Sequence, residues 1–327
     1  FLRVSKSGDT GQVGWRPESF PNKDDFIWGT SQFSAGLWIG GSVTPNHLVD
    51  TQKDIGAITI LENKNSRTTK DPAQILECPC CSRIVSVPAR GLSAGMHELS
   101  LVVESADGSD ITSAAGEIPS LGKDVTGGTS ITQASVFQHA NKRFFTLTLT
   151  ITRDSQKISA EHIEYLSDQI LAHFGTKSLD VRLVPFRASR PGYFRRTYHV
   201  KGNKSRPDSN KTYDYDIFCP NPECKLRTNW FSGTPGGLIH GRFASDHEKT
   251  GDLDGKKIPD GNFLTDVIDA FQNGSRYKSD RIPIPAFSVD DQIYARAPSV
   301  IISTVDKFAR PAFERKATSL FGGVDRY

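Results

Sequence analysis

Hydrophobic and polar positions alternate most cleanly in "FFTLTLTIT". There Phe145, Leu147, Leu149 and Ile151 fall on one side and threonines on the other. A period of two predicts a half-buried strand. In the next segment, "SAEHIEYLSDQILAHFG", the period changes, and Ile163, Leu166, Ile170 and Phe174 recur at helical spacing. Ser159 is placed to cap this helix, and Gly175 to close it in a left-handed turn. "SLDVRLVPF" predicts a second strand, so strand, helix and strand form a small α/β subdomain.

The pattern is shorter elsewhere. "SAGLWIGGSV" predicts a buried strand, Leu37 to Ile39, running into a bare Gly40-Gly41 turn. "HELSLVVES", 97–105, predicts a strand. Residues 106–138 are rich in Ser, Thr and Gly and read as a long loop. "NFLTDVIDAFQNG", 262–274, predicts an amphipathic helix with Phe263, Val267, Ile268 and Phe271 on its apolar face. "PSVIISTVDKFARPAF" predicts a buried strand, Val300 to Ile302, then a polar loop and a helix. Residues 1–32 are polar and turn-rich, with Trp15, Phe20, Phe26 and Trp28 spaced through them.

Composition bounds the class. A chain of 327 residues, 36% hydrophobic and 24% charged, holds one large domain or two and is not globally disordered. A net charge of +3 says little about partners. No apolar run reaches the roughly 18 residues of a membrane span. The start, "FLRVSKSGDTG", lacks the basic, apolar and small-residue regions of a signal peptide. It also lacks methionine, and both ends read as cut from something longer. Five cysteines, three of them crowded into "CPCC", argue against a disulfide framework and for a reducing compartment, the cytoplasm.

The cysteines form two tight clusters, "CPCC" at 78–81 and "CPNPEC" at 219–224. Two turns, each offering a thiolate pair, match the four soft ligands of a tetrahedral zinc site. Cys78, Cys81, Cys219 and Cys224 are the candidate ligands, with Cys80 left out because 78 and 81 have knuckle spacing. Such a site would staple distant segments and close a long loop. The competing reading is free thiols or a redox pair. A redox C-x-x-C opens a helix, whereas "CSRIVSVPAR" reads as strand.

A basic stretch, 187–211, carries eight Lys or Arg and one acid, interleaved with Tyr193, Phe194 and Tyr198. Exposed, it would contact nucleic acid, with Arg195 and Arg196 as leading candidates. The alternative is a solvated loop with core aromatics. No complete active site is visible. "GEIPSLGKD" fails as a phosphate-binding loop: its glycines are one residue too far apart, and Asp124 replaces the magnesium-binding hydroxyl. The eight histidines are scattered and read as surface residues.

Two pieces resemble a family. "LWIGGSV" is similar to the double-glycine motif of the first motor domain in superfamily 2 helicases. "PSVIISTVDKFA" is similar to a later motif of that domain, where a strand ends in a Thr-centred loop. The order of "GLWIGGSVTPN", the C-P-x-C knuckle, "CPNPEC" and "IPAFSVDDQIYARAPSVIISTVDKFARPAFERKATSLFG" resembles the DrmA-like helicases of the DISARM anti-phage system. The resemblance implies an α/β fold: incomplete RecA-like motor-domain elements at both ends, and a large α+β insertion carrying the four-cysteine zinc site. Residues 1–46 and 282–327 would be motor elements and 47–281 the insertion, of about 240 residues, large enough to be a domain.

It further implies ATP hydrolysis with Mg in the parent protein, DNA and a DrmB-like protein as partners, and no membrane. The phosphate-binding loop and Asp-Glu box would lie outside this chain, which alone would not hydrolyse ATP. Gly40 and Gly41 would admit a sugar-phosphate backbone to their amides. Thr304 and the start of the following helix would bind a phosphate, with Asp306 as a cap and Lys307 or Arg310 adding charge. Apart from the resemblance, Thr304 and Asp306 read as ordinary caps. The rivals are a stand-alone zinc-dependent nucleic-acid-binding module and a protein-docking domain.

Overall fold

The computed structural model describes residues 34–63, 70–139, 142–200, 209–224 and 283–309, with a few isolated positions beyond them. The segment 1–32, the 262–274 helix and Arg310 lie outside the described residues. The chain divides into two compact units. One draws on Phe1–Pro72, Arg196–Tyr215 and Arg227–Tyr327, the other on Ala73–Arg195 and Asp216–Leu226. The divisions fall at 72/73, 195/196, 215/216 and 226/227.

The first unit contains a parallel sheet. Strand β1 (Ala35–Trp38) is its centre, and its partners, which follow the hairpin and short pair numbered below, are β10 (Ala286–Phe287) and β11 (Val300–Ser303). Ala35 pairs with both Ala286 and Val300, and Trp38 with Ser303. Parallel strands need a crossover, and here helix α4 (Asp290–Arg296) supplies it. The helix packs where β1 has no side chain: a Cβ on Gly36 would lie 2.9 Å from Pro298 Cγ and 3.5 Å from Ile293 Cγ1. Two positions on, Trp38 is wholly buried, edge-on to Tyr294 and Phe308. Helix α1 (Ala57–Glu62) buries Ala57, Ile58, Ile60 and Leu61, and α5 (Val305–Ala309) follows β11. β11 is an edge strand and is not buried as expected: Val300 is 57% and Ile302 64% exposed.

The second unit is an antiparallel sheet in the order β3-β4-β2-β5, formed by β2 (Gly95–Ser105), β3 (Ser130–Gln138), β4 (Phe144–Arg153) and β5 (Val181–Leu183). β4 and β5 each run antiparallel to β2, so they are parallel to each other across it. Helix α3 (Ala160–Thr176) joins them, giving a split β-α-β unit. The predicted faces hold. Phe145, Leu147, Leu149 and Ile151 have no exposed surface, and they share one core with Ile163, Leu166, Ile170 and Phe174. Burying a side chain of this kind stabilises by roughly 1.5–3 kcal/mol, so the eight dominate the unit's stability. On the opposite face, Ser100 and Thr148 are directly paired and their hydroxyls bond at 3.0 Å.

Three expectations change here. The segment read as a loop contains α2 (Thr112–Gly116), a 3-10 turn at Ile118–Ser120 and strand β3. The alternation of β3 was hidden by a bulge between Ile131 and Gln133, which moves Ala134 and Val136 onto the core side. The α3 helix is capped by Ser159, which accepts from the His162 amide, but it does not stop at Gly175. It runs one residue further, to Thr176, with Lys177 as its C-cap and Ser178 at φ 60°. There Leu179 N–H reaches Phe174 O and Ser178 N–H reaches Gly175 O, a Schellman closure with serine in the left-handed position. His139 is buried rather than on the surface, bonded to Thr146 Oγ1 at 2.9 Å.

β6 (Tyr193–Val200) and β7 (Ser209–Ile217) pair as a two-stranded sheet, and β8 (Asp252–Leu253) pairs with β9 (Lys256–Lys257). The approach to β6 is tight. Gly192 N–H donates to Val85 O, and Phe218 N–H donates to Gly192 O. A Cβ on Gly192 would stand 2.2 Å from Val85 Cγ1 and 2.8 Å from Phe218 O. One of those atoms belongs to backbone and cannot swing away. Gly192→Ala is expected to destabilise the unit by about 3 kcal/mol, read from chemical denaturation.

Candidate metal centre and flanking strand ends

The Gly192 crossing sets up the metal centre. Segment 76–87 folds back on itself through the Glu77–Ile84 bridge. Cys78 N–H donates to Arg83 O, Ser82 N–H donates to Cys78 O, and Ser82 takes the left-handed conformation the turn needs (φ 56°). Val87 N–H reaches Ser189 O, tying this hairpin to the chain entering β6. Past Phe218 the second knuckle begins. Asn221 turns it, accepting from Glu223 N–H at its side chain and from Cys224 N–H at its carbonyl.

The result brings together all four predicted ligands. The sulfurs of Cys78, Cys81, Cys219 and Cys224 lie within 4.8 Å of one another. Cys78 Sγ is 3.8 Å from Cys224 Sγ, and Cys81 Sγ is 3.4 Å from Cys219 Sγ. A zinc ion bonded to four sulfurs at about 2.3 Å sets them about 3.8 Å apart, so the cluster has the size and donor chemistry for such an ion. Cys78, Cys219 and Cys224 are buried, and Cys81 is the outermost of the four. Cys80 is exposed and is not one of the four clustered sulfurs; its N–H donates to Cys78 Sγ at 3.4 Å. Asn221 Nδ2 donates to Cys81 Sγ at 3.6 Å. Such donors spread thiolate charge and orient the ligand.

Electrostatics agree with a cation-binding cluster. Bonds from Cys219 and Cys224 hold the Cys81 thiol far below its ordinary value, and Cys78 is lowered by the same two partners. Cys219 is pushed up, first by Cys224 and then by Cys78 and Cys81. Without a cation the four sulfurs cannot all carry charge at this spacing; with a divalent ion at the centre they can.

Among the described residues of the basic stretch, the arginines are engaged within the protein. Arg195 stacks over the Phe186 ring at 4.5 Å and donates to Pro185 O at 3.3 Å. Arg190 is buried and bonds Ser86 Oγ at 2.7 Å and Val87 O. In the first unit, Arg196 is buried with its guanidinium 3.5 Å from Asp214 Oδ2, which also pairs with Arg296. Gln292 Nε2 donates to Asp214 Oδ1 at 2.7 Å. Arg195 and Arg196 are therefore packed against a ring and a buried carboxylate, not held out as a phosphate comb. Cations clustered in sequence are here separated by strand alternation and by the division between units.

The flanking motifs meet. Gly40 and Gly41 follow β1, and Thr304 follows β11, its parallel neighbour; Thr304 N–H donates to Trp38 O at 3.4 Å. Val43 N–H closes the glycine turn on Gly40 O at 3.0 Å. Thr304 is exposed, and its carbonyl accepts from Lys307 and Phe308 N–H. Asp306 sits in the first turn of α5, so Thr304, not Asp306, occupies the cap position. Lys307 is the larger correction. It is 1% exposed, with Nζ 2.5 Å from Asp290 Oδ2 and 3.2 Å from Asn46 Oδ1. Its charge is committed inside the protein. Asn46, Asp290 and Asp214 carried no sequence signal, because their partners lie tens to hundreds of residues away.

No protein-family model matches the chain, and no solved structure matches it. Over 44 residues, 14% of the chain, it is 52% identical to the DISARM protein DrmA of Bacillus paralicheniformis. Those residues are 4% of that protein, so the likeness is short. No helix among the described residues is long and apolar enough to cross a membrane.

Elemental analysis is expected to find one zinc per chain. Cys78→Ser and Cys224→Ser should each lose it, while Cys80→Ser keeps it. Bound metal should fall as pH is lowered, because protons compete for the thiolates. Asp214 supplies a separate acid response. Burial would raise its carboxyl, but Arg296 and Arg196 hold it below the ordinary value. The stability this contributes is present above about pH 4 and is lost as pH falls through the lowered folded value. Asp214→Ala leaves buried arginine unpaired and should cost about 3–5 kcal/mol in denaturant titrations at neutral pH.

Proposed function

We propose that the chain is part of an ATP-dependent DNA helicase or translocase of bacterial phage defence, similar to DISARM DrmA. It contributes nucleic-acid backbone contacts and a structural zinc site, while ATP and Mg act elsewhere in the parent protein. One observation carries this reading: the Gly40-Gly41 turn and Thr304, 263 positions apart in the chain by their numbers, close adjacent parallel strands on the same edge. Ligands of open α/β sheets bind outside the carboxyl ends of the strands. Two glycine amides without side chains and an exposed threonine hydroxyl suit a phosphate of the backbone. They do not read base identity, as translocation requires. The short identity to a DISARM protein supports the defence setting; a DrmB-like partner and a cytoplasmic location are part of the same proposal and rest on the family resemblance alone.

Zinc is read as structural because four protein thiolates fill a tetrahedron and leave no position for substrate. It ties segments 138 residues apart, Cys81 and Cys219.

Titration of the chain with fluorescent oligonucleotides across a salt series tests the reading. Affinity should fall with rising salt and not depend on base sequence. Thr304→Ala should weaken binding about tenfold, the size of one charge-assisted hydrogen bond. In the parent protein, DNA-stimulated ATP hydrolysis should fall with it. Sequence-independent binding with no ATPase in the parent would favour a stand-alone binding module, and no binding at all would favour a docking domain.

A further inference from the structure

Lys307 poses a physical problem. Its neighbours Asp306 and Phe308 on α5 are exposed, yet its own side chain is 1% exposed. Taking an ammonium out of water is expensive unless a partner meets it closely. Here Asp290 Oδ2 lies at 2.5 Å and Asn46 Oδ1 at 3.2 Å, with the Trp38 ring centre 6.0 Å away. Asn46 is itself held on two further sides. Its carbonyl accepts from Asp291 N–H at 3.3 Å. Its amide group lies against Gly41, where a Cβ would stand 3.0 Å from both Nδ2 and Oδ1.

Two segments thus converge on the ammonium that α5 carries: the loop leaving the glycine turn, 261 residues away, and the start of α4, 17 residues away. Lys307 also touches the other strand end through its own backbone, since its N–H donates to Thr304 O at 3.1 Å. A chain of contacts therefore runs Gly41, Asn46, Lys307, Thr304, with Asp290 neutralising the charge in the middle.

We propose that Asn46, Lys307 and Asp290 are positioning residues that lock the Gly40-Gly41 turn and the Thr304 corner at a fixed separation, so that the two elements engage a nucleic-acid backbone as one rigid surface. The proposal rests on the backbone-binding reading above. It gives Lys307 a role different from phosphate contact: the ammonium orients the elements that bind and does not bind itself. A Cβ at position 41 would press on the Asn46 amide, which would have to give by a few tenths of an ångström.

The test uses the full chain and two changes. One is Asn46→Ala, which removes no charge. The other is the paired change Lys307→Met with Asp290→Asn, which removes both buried charges together and so leaves neither unpaired. Amide hydrogen exchange is followed at 40–46 and 304–308, with β2 and β4 as internal reference. Oligonucleotide affinity is measured across a salt series. Exchange should rise at least about tenfold at both strand ends together and not in β2 or β4. Affinity should fall about tenfold with the salt slope unchanged, since no phosphate-touching cation is lost.

A slope lowered by about one unit would make Lys307 a direct phosphate ligand and overturn the positioning role. Faster exchange at only one end, or at neither, would also overturn it. If the unaltered chain binds no oligonucleotide, the backbone-binding reading fails, and the exchange result alone decides whether the lock exists. If the paired variant does not fold, Asn46→Ala gives both readouts.

Discussion

Three backbone segments meet at Gly192 with no room for a side chain. Gly192 N–H donates to Val85 O, Phe218 N–H donates to Gly192 O, and a Cβ would meet both the Val85 side chain and the Phe218 carbonyl. This crossing joins the first cysteine hairpin to the chain that becomes the second. Cys219 follows Phe218 directly, so the spacing of the four sulfurs is inherited from main-chain hydrogen bonds rather than from the metal alone. Four cysteines held on such a frame are preorganised and could take a metal ion without being rearranged. Main-chain bonds fix the direction of approach, while the Asn221 side chain and the Cys80 main-chain N–H donate to the sulfurs.

The same economy of polar groups governs the other unit. Its two most enclosed ionic sites use cations that a reader of sequence would assign to solvent or DNA. Arg196 and Arg296 converge on Asp214, and Lys307 converges on Asp290. Buried pairs of this kind add little net stability over apolar packing, but removing one member is severe. Their effect is to define which segments touch. Asp214 ties β7 to α4, and Asp290 ties α4 to α5. The parallel sheet has only three strands among the described residues, with one edge exposed. Specific ionic contacts hold its connecting helices in place where apolar area is short.

The functional proposal follows from that arrangement. A parallel sheet gathers strand ends on one side, and here the ends carry a glycine pair and a threonine. Neither feature has chemistry of its own. Together, at fixed separation, they suit a repeating, sequence-blind ligand. The four-cysteine cluster, a candidate metal centre, belongs to the other unit, whose sheet and helix form their own core.

Local patterning in the sequence determined the amphipathic elements and the ligand set. The alternation of 144–152, the 3.6 period of 160–174 and the two cysteine spacings each express a constraint acting within a few residues. Such constraints are legible because strand pleat, helix turn and knuckle geometry are local. Strand β3 escaped because one bulge shifted its period, and the helix end escaped because serine, not glycine, took the left-handed position. Only the tertiary structure decided which charges face inward. Arg196 and Lys307 look alike in sequence to any surface cation; burial and pairing depend on Asp214 and Asp290, and on an Asn46 that lies 261 residues from its lysine. Contacts across that separation leave no periodic trace in the chain, since they arise only when the fold brings opposite charges into the same dry space.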